Sequence, residues 1–166
     1  MRHIVGTAYP GRQLQDLSPV EAFSAFMIRA LGRHEPAARA GMHVSDGSLL
    51  NELAYLRGRI EVGAFGAASR ISDAGFSRLV DLFEQHVQRC LMPSRHCLFA
   101  HIEPELPLDN DGYRPQDTAF RDFVNDFLLA SYRKLKLNAI SISGSLAERT
   151  ALIESILNEH HVLQNT

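Results

Sequence analysis

No apolar run in this chain approaches the ~18–20 residues that a membrane span requires, so no membrane partner is expected. Positive charge is not in excess either. Lys and Arg number 17 against 19 Asp and Glu, a formal net charge of −2, so no basic field would draw the chain to nucleic acid. The N-terminus has one early Arg but no apolar h-region and does not read as a signal peptide. Cysteine is scarce: Cys90 and Cys97 lie close together, with His96 between them. A disulfide or a metal pair is open to them, but two buried thiols in a reducing cytosol is the expected state, and the expected compartment is cytoplasmic. Repeats, low-complexity tracts and domain-separating linkers are absent, as is the G-x-S-x-G elbow of the α/β-hydrolases.

Other absences remove metal readings. Asp109-Asn110-Asp111-Gly112 has the look of a calcium loop, but its twelfth position is Phe120 where a calcium loop needs Glu. It reads instead as a solvated turn or a lid. Among eight histidines, His160 and His161 are adjacent on a helical stretch and point apart. His43 and His101 alternate with apolar residues and read as satisfied core or rim groups.

What is present is a chain of 166 residues, 45% hydrophobic and 22% charged, enough for one domain with a full core. Arg2–Val5 is a short strand candidate. Ser18-Pro19-Val20-Glu21 opens a helix, with Ser as N-cap, Pro at N1 and Glu at N3 closing a capping box. Ala22, Phe23, Phe26, Met27, Ala30 and Leu31 follow at helical spacing. Met42–Asp46 is a second short strand, and residues 48–59 form a helix that buries Leu49, Leu50, Leu53, Ala54 and Leu56. Residues 60–71 are Gly- and Ala-rich and read as loop, after which Ser72 caps a helix running through Phe76, Leu79, Val80, Phe83, Val87 and Cys90.

Cys97–Ile102 is the third strand, followed by an exposed polar loop. A helix starts near Thr118, with Phe120, Phe123 and Phe127 as a core stripe. Asn138–Ser143 is the last strand, and Ser145-Leu146-Ala147-Glu148 is a second capping box that opens the final helix. Strands separated by helices of this length predict parallel βαβ units and an α/β three-layer sandwich with a mainly parallel sheet. Ligands of such sheets bind at the carboxyl ends of the strands. Asp46, the loop from Glu103 to Arg114 and the Ser143–Ser145 turn all follow strand ends and would share one rim.

The run VSDGSLLNELAY, then LFAHIEPELPLDNDGYRPQDTAFRDFVNDFL, then ISISGSLAERTALI, in this order, resembles the P-loop kinase-like ATPases related to nicotinamide riboside kinases. The resemblance covers most of the chain, from about Pro19 to Leu157. It implies a single P-loop NTPase-like domain over residues 1–166 and ATP-dependent phosphorylation of a small, nucleoside-like acceptor, with ATP and Mg²⁺ as cofactors. In that family Asp46 would lie near Mg²⁺ and the acceptor. Asp109, Asp111 and Arg114, with Arg121 on the next helix, would form a lid over the phosphates. Ser143, Gly144 and Ser145, with Arg149 behind them, would border the nucleotide base. Phosphoryl transfer is chiefly positioning and charge stabilisation, so carboxylates for Mg²⁺ and arginines for the migrating group suit these roles.

One piece does not fit. Gly6-Thr7-Ala8-Tyr9-Pro10-Gly11-Arg12-Gln13 departs from G-x-x-x-x-G-K-[ST] at both of its last two positions. A working P-loop runs straight into its helix, whereas the capping box starts the helix at Ser18, and Pro10 removes one N–H from the cradle. Arg12 and Gln13 are expected in a connecting loop. Counted against the family order, the chain lacks strand one, the P-loop and helix one. Three accounts are open: a start codon upstream of Met1, a shortened non-catalytic relative, or Arg2–Val5 serving as strand one. The second is preferred. It carries the alternative function of a catalytically inactive module that binds a ligand or a protein, as a homo-oligomer or with a partner chain completing the sheet.

Overall fold

The computed structural model describes residues 7–12, 17–39, 45, 47–62, 74–91, 97–104 and 118–164. Helices α1 (Pro19–Arg39), α2 (Leu49–Glu61) and α3 (Ala74–Leu91) come first. Strand β1 (Leu98–Ile102), α4 (Thr118–Leu135), β2 (Asn138–Ile142) and α5 (Leu146–Gln164) follow.

The helix starts are those the sequence dictates. At α1, the Ser18 N–H donates to Glu21 Oε2 (2.8 Å) and the Glu21 N–H donates back to Ser18 Oγ (3.4 Å). At α5, the same exchange joins Ser145 and Glu148 (2.7 and 3.4 Å). Ser48 caps α2, with Asn51 in the return role: its Oδ1 accepts the Ser48 N–H at 2.8 Å. Each box satisfies backbone donors that the first helical turn leaves without partners.

Helix α2 is the hub, packing against α1, α3 and α4. Its face of Leu50, Leu53, Ala54 and Leu56 is almost wholly excluded from solvent. Phe26 of α1, Phe76, Val80, Phe83 and Val87 of α3, and Leu128 and Tyr132 of α4 complete one core. Phe23 sets its ring edge-on to Phe76 and Phe83, with centroids 6.1 and 6.3 Å away. Gly58 has a steric reason. A Cβ there would stand 2.5 Å from the Phe120 ring, so its absence lets α4 close on α2.

This architecture overturns the expected three-layer α/β sandwich of P-loop NTPase-like type. Among the described residues the chain is mostly helical, and its sheet has two strands, β1 and β2. The anticipated strand at Arg2–Val5 lies outside the described residues, as do Ser72 and all of Met42–Asp46 except Ser45, which is not in a strand. Of the loop expected over 60–71, residues 63–71 lie outside them too, while Ile60 and Glu61 belong to α2 instead. The physical reason for the difference is that a 3.6-residue apolar stripe says only that a helix buries one face. The stripes of α1 to α4 are buried against one another here, not across a broad sheet. One βαβ unit is nevertheless present: β1 and β2 pair in parallel, Leu98 with Asn138 through Ile102 with Ile142, and α4 makes the crossover.

Some apolar positions also fall differently from expectation. Leu31 is 68% exposed and Leu79 is 42% exposed, each at the margin of its stripe. Cys90 is half-buried and Cys97 exposed, so the pair is not the buried one expected.

Candidate functional site

Of the residues expected to carry chemistry, Asp46, Asp109, Asp111 and Arg114 lie outside the described residues. With them go the expected Mg²⁺ position and most of the lid. Arg121 is half-buried on the first turn of α4, its Nε 3.7 Å from Asp122 Oδ1. The structure brings together Gly144, Ser145 and Arg149, at the carboxyl end of the parallel pair, with Ser143 exposed beside them.

Their geometry is that of a clasp. Arg149 is 6% exposed. Its Nε donates to the Gly144 carbonyl at 2.7 Å and its Nη1 donates to the Glu103 carbonyl at 3.1 Å. One guanidinium thus ties the β2–α5 turn to the residue that follows β1. Glu103 extends the ladder by donating its N–H to the Ile142 carbonyl (2.9 Å), and its carboxylate accepts the Ser141 hydroxyl at 2.6 Å. Gly144 has φ +95°, a conformation that suits glycine, and a Cβ there would press on Glu148 Oε2 at 2.8 Å, moving that carboxylate. Glu148 accepts both the N–H and the hydroxyl of Ser145, each at 2.7 Å. Those bonds hold its carboxyl below the usual carboxylate range. An anion approaching the start of α5 would find the Ser145 donors already engaged.

The opening GTAYPGRQ segment has its own answer. After the helical Thr7 and Ala8, residues 9–12 form a turn in which Gly11 has φ +75° and the Arg12 N–H donates to the Tyr9 carbonyl. The Arg12 guanidinium grips the Glu21 carboxylate through both oxygens, at 2.7 and 3.1 Å. The basic residue nearest to a Walker position therefore braces the α1 capping box.

A concavity of ≈ 260 Å³ lies between the end of α4 and β2. His101, Tyr132, Arg133, Lys136, Ile140 and Ser141 line it. His101 is buried, hydrogen-bonded through Nε2 to Asn125 Oδ1 at 2.9 Å and edge-on to Tyr132 at 5.8 Å. It is the satisfied histidine that its alternation with apolar residues suggested. Burial raises the Tyr132 phenol above its ordinary pKa.

A third set of residues escaped the sequence reading. Glu52, 1% exposed, faces Arg29 of α1 with Oε1–Nε at 3.2 Å. Arg59, 6% exposed, reaches the Leu17 carbonyl at 3.4 Å. Burial lowers the Arg59 pKa to about 10. The signal was available: Glu52 lies three residues after Leu49 and four before Leu56, on the apolar face itself, and Arg59 is two turns further along it. A charge at such a position needs a partner when the helix is buried.

No helix among the described residues is long and apolar enough to cross a membrane. Compared with protein-family models, with curated proteins and with solved structures, the chain matches none.

Proposed function

We propose that this chain is a binding module for a small acidic ligand, without catalytic phosphoryl transfer. The observation that carries the reading is the engagement of Arg149. The arginine expected to border a nucleotide is buried, and its donors are directed at two carbonyls of its own chain. Ser145 and Arg12 are likewise committed to Glu148 and Glu21. Side chains locked into their own fold hold a rim in shape; they do not have donors waiting for a phosphate. A cytoplasmic setting fits this reading, since Cys90 and Cys97 stand as thiols, Cys90 Sγ 3.4 Å from His86 Nε2.

The test is thermal melting of the chain with and without millimolar MgATP, read beside an assay for released phosphate. A ligand at about a hundred times its Kd stabilises by roughly 2.7 kcal/mol, which for a chain of this size raises Tm by about 5–10 °C. The expected response is flat, with no phosphate released. A shift of that order, or turnover, would restore the kinase reading.

A further inference from the structure

We propose that the cleft between the end of α4 and β2 binds a small organic anion, a carboxylate or phosphate monoester with an apolar body. Arg133 and Lys136 would meet its charged end. The proposal rests on the binding-module reading and gives it a place and a ligand chemistry.

Three features of the cleft point the same way. The first is charge. Among the described residues, Arg133 and Lys136 are exposed and in no ion pair, whereas Lys134 between them stands 3.9 Å from Glu84. An arginine fork and an ammonium three residues apart at one helix end suit the oxygens of a carboxylate or phosphate.

The second is backbone conformation. Helix α4 ends in a Schellman turn: the Leu137 N–H donates to the Tyr132 carbonyl (3.0 Å) and the Lys136 N–H donates to the Arg133 carbonyl (3.2 Å). That arrangement places Lys136 at φ 53°, the left-handed position that glycine occupies without strain. Among the described residues it is the non-glycine with positive φ. A long cationic side chain held where none is needed for the turn is consistent with a use for that side chain.

The third is the floor of the cleft. Leu129, Leu137 and Ile140 give it an apolar wall. Two of its polar side chains are already engaged, Ser141 with Glu103 and His101 with Asn125. Recognition would fall to the two cations for charge and to the wall for the body of the ligand.

The bland account is that basic residues at a helix C-terminus only complement its dipole. The two accounts diverge in measurement. The full-length chain is titrated by NMR with phenyl phosphate, benzoate, neutral benzamide and inorganic phosphate. Phenyl phosphate or benzoate should bind with Kd on the order of 1 mM, as suits so small a ligand. The better of the two identifies the source of the anion as a phosphate ester or a carboxylate.

Arg133→Ala should weaken binding about tenfold. Lys136→Gly should weaken it several-fold while raising Tm by about 2–4 °C, because the strained residue is removed. A gain in stability coupled to a loss of affinity is an outcome the dipole account does not give. Benzamide binding as well as benzoate, or affinity unmoved by both substitutions, would overturn the proposal. Inorganic phosphate matching phenyl phosphate would overturn the role of the apolar wall. A chain that turns over MgATP yet binds phenyl phosphate through Arg133 would sink the binding-module reading and leave the cleft. A chain inert to nucleotide and to all four probes would sink the cleft alone.

Discussion

The helical half of the molecule and its strand-bearing end are held by different forces. In the helical half, apolar side chains from α1 to α4 meet around α2 in one continuous cluster. At the strand end, among the described residues, Ile142 of β2 is the fully buried apolar residue, with Phe99 and Ala139 partly buried against the helical cluster, and the other side chains removed from water there are His101 and Arg149. Helix α5 keeps Leu146 at 74% exposure and Leu152 at 41%, and buries Arg149 instead. Apolar burial is non-directional and forgiving of small shifts, so it builds bulk stability. Directed polar bonds fix positions while adding little net free energy each. The helical half is therefore the source of stability, and the strand end is where geometry is set. Parallel strands normally have both faces covered, yet Ala100 and Ile102 of β1 are exposed. That exposure sets the strand end further apart from the helical half.

The sharpest way to break this contrast is to damage the polar group that the apolar half contains. Glu52 is buried but its partner Arg29 is half-buried, so removing Glu52 strands a partly solvated charge beside the core, at a cost of about 2–3 kcal/mol, less than for a fully buried pair. Glu52→Ala should lower the global Tm by about 4–12 °C in a calorimetric scan. A fall no larger than that of a surface substitution would show that this half tolerates a lone charge. It would then be softer than its packing suggests.

The helix starts and the buried helix faces are legible in the sequence, the division between the two regions is not, and the limits of legibility have a physical cause. The capping residues Ser18 with Glu21 and Ser145 with Glu148 act locally, within one turn, and both helix starts fall where that local chemistry puts them. Leu49, Leu50, Leu53, Ala54 and Leu56 announce a buried face by spacing alone. Spacing does not say what the face packs against, and so the same stripes are equally compatible with a helical cluster and with layers on a sheet. For the candidate site, spacing shows that Ser143, Gly144 and Ser145 share the turn after the last strand and that Arg149 follows on the next helix. The direction of the Arg149 guanidinium was not readable, because it depends on two carbonyls, one of them Glu103, far away in sequence. The Lys136 conformation was hidden for a similar reason: a Schellman turn with lysine at its left-handed position has no distinctive sequence mark.

A smaller effect should come from the strand end itself. Arg149→Ala removes two charge-assisted bonds that join the β2–α5 turn to the end of β1. The expected loss is about 1–3 kcal/mol, confined in hydrogen exchange to amides of α5 and the end of β2, with those of α2 unchanged. If protection fell equally in α2, the two regions would be one cooperative unit and the contrast drawn between them would fail.

The smallest expected effect tests whether the capping boxes belong to either regime. The Arg12 guanidinium, with the Ser18 hydroxyl and N–H, holds the Glu21 carboxyl at about 2, below its ordinary 4.5. A folded-state pKa lower than the unfolded one contributes stability that is present above pH 4.5 and is lost as pH falls toward 2. Glu148, held down by Ser145 alone, should behave in the same sense at the start of α5. Both carboxyls face solvent, so the contribution is modest and screened by salt. Tm followed from pH 5 to pH 2 should decline less steeply in Glu21→Gln than in the parent chain, and 1 M salt should narrow the difference. In Glu148→Gln, the corresponding change should appear in the exchange of α5 amides more than in Tm, because α5 adds little to the apolar cluster that governs global melting. Equal effects of the two substitutions on Tm would mean that α5 is as firmly tied to the core as α1.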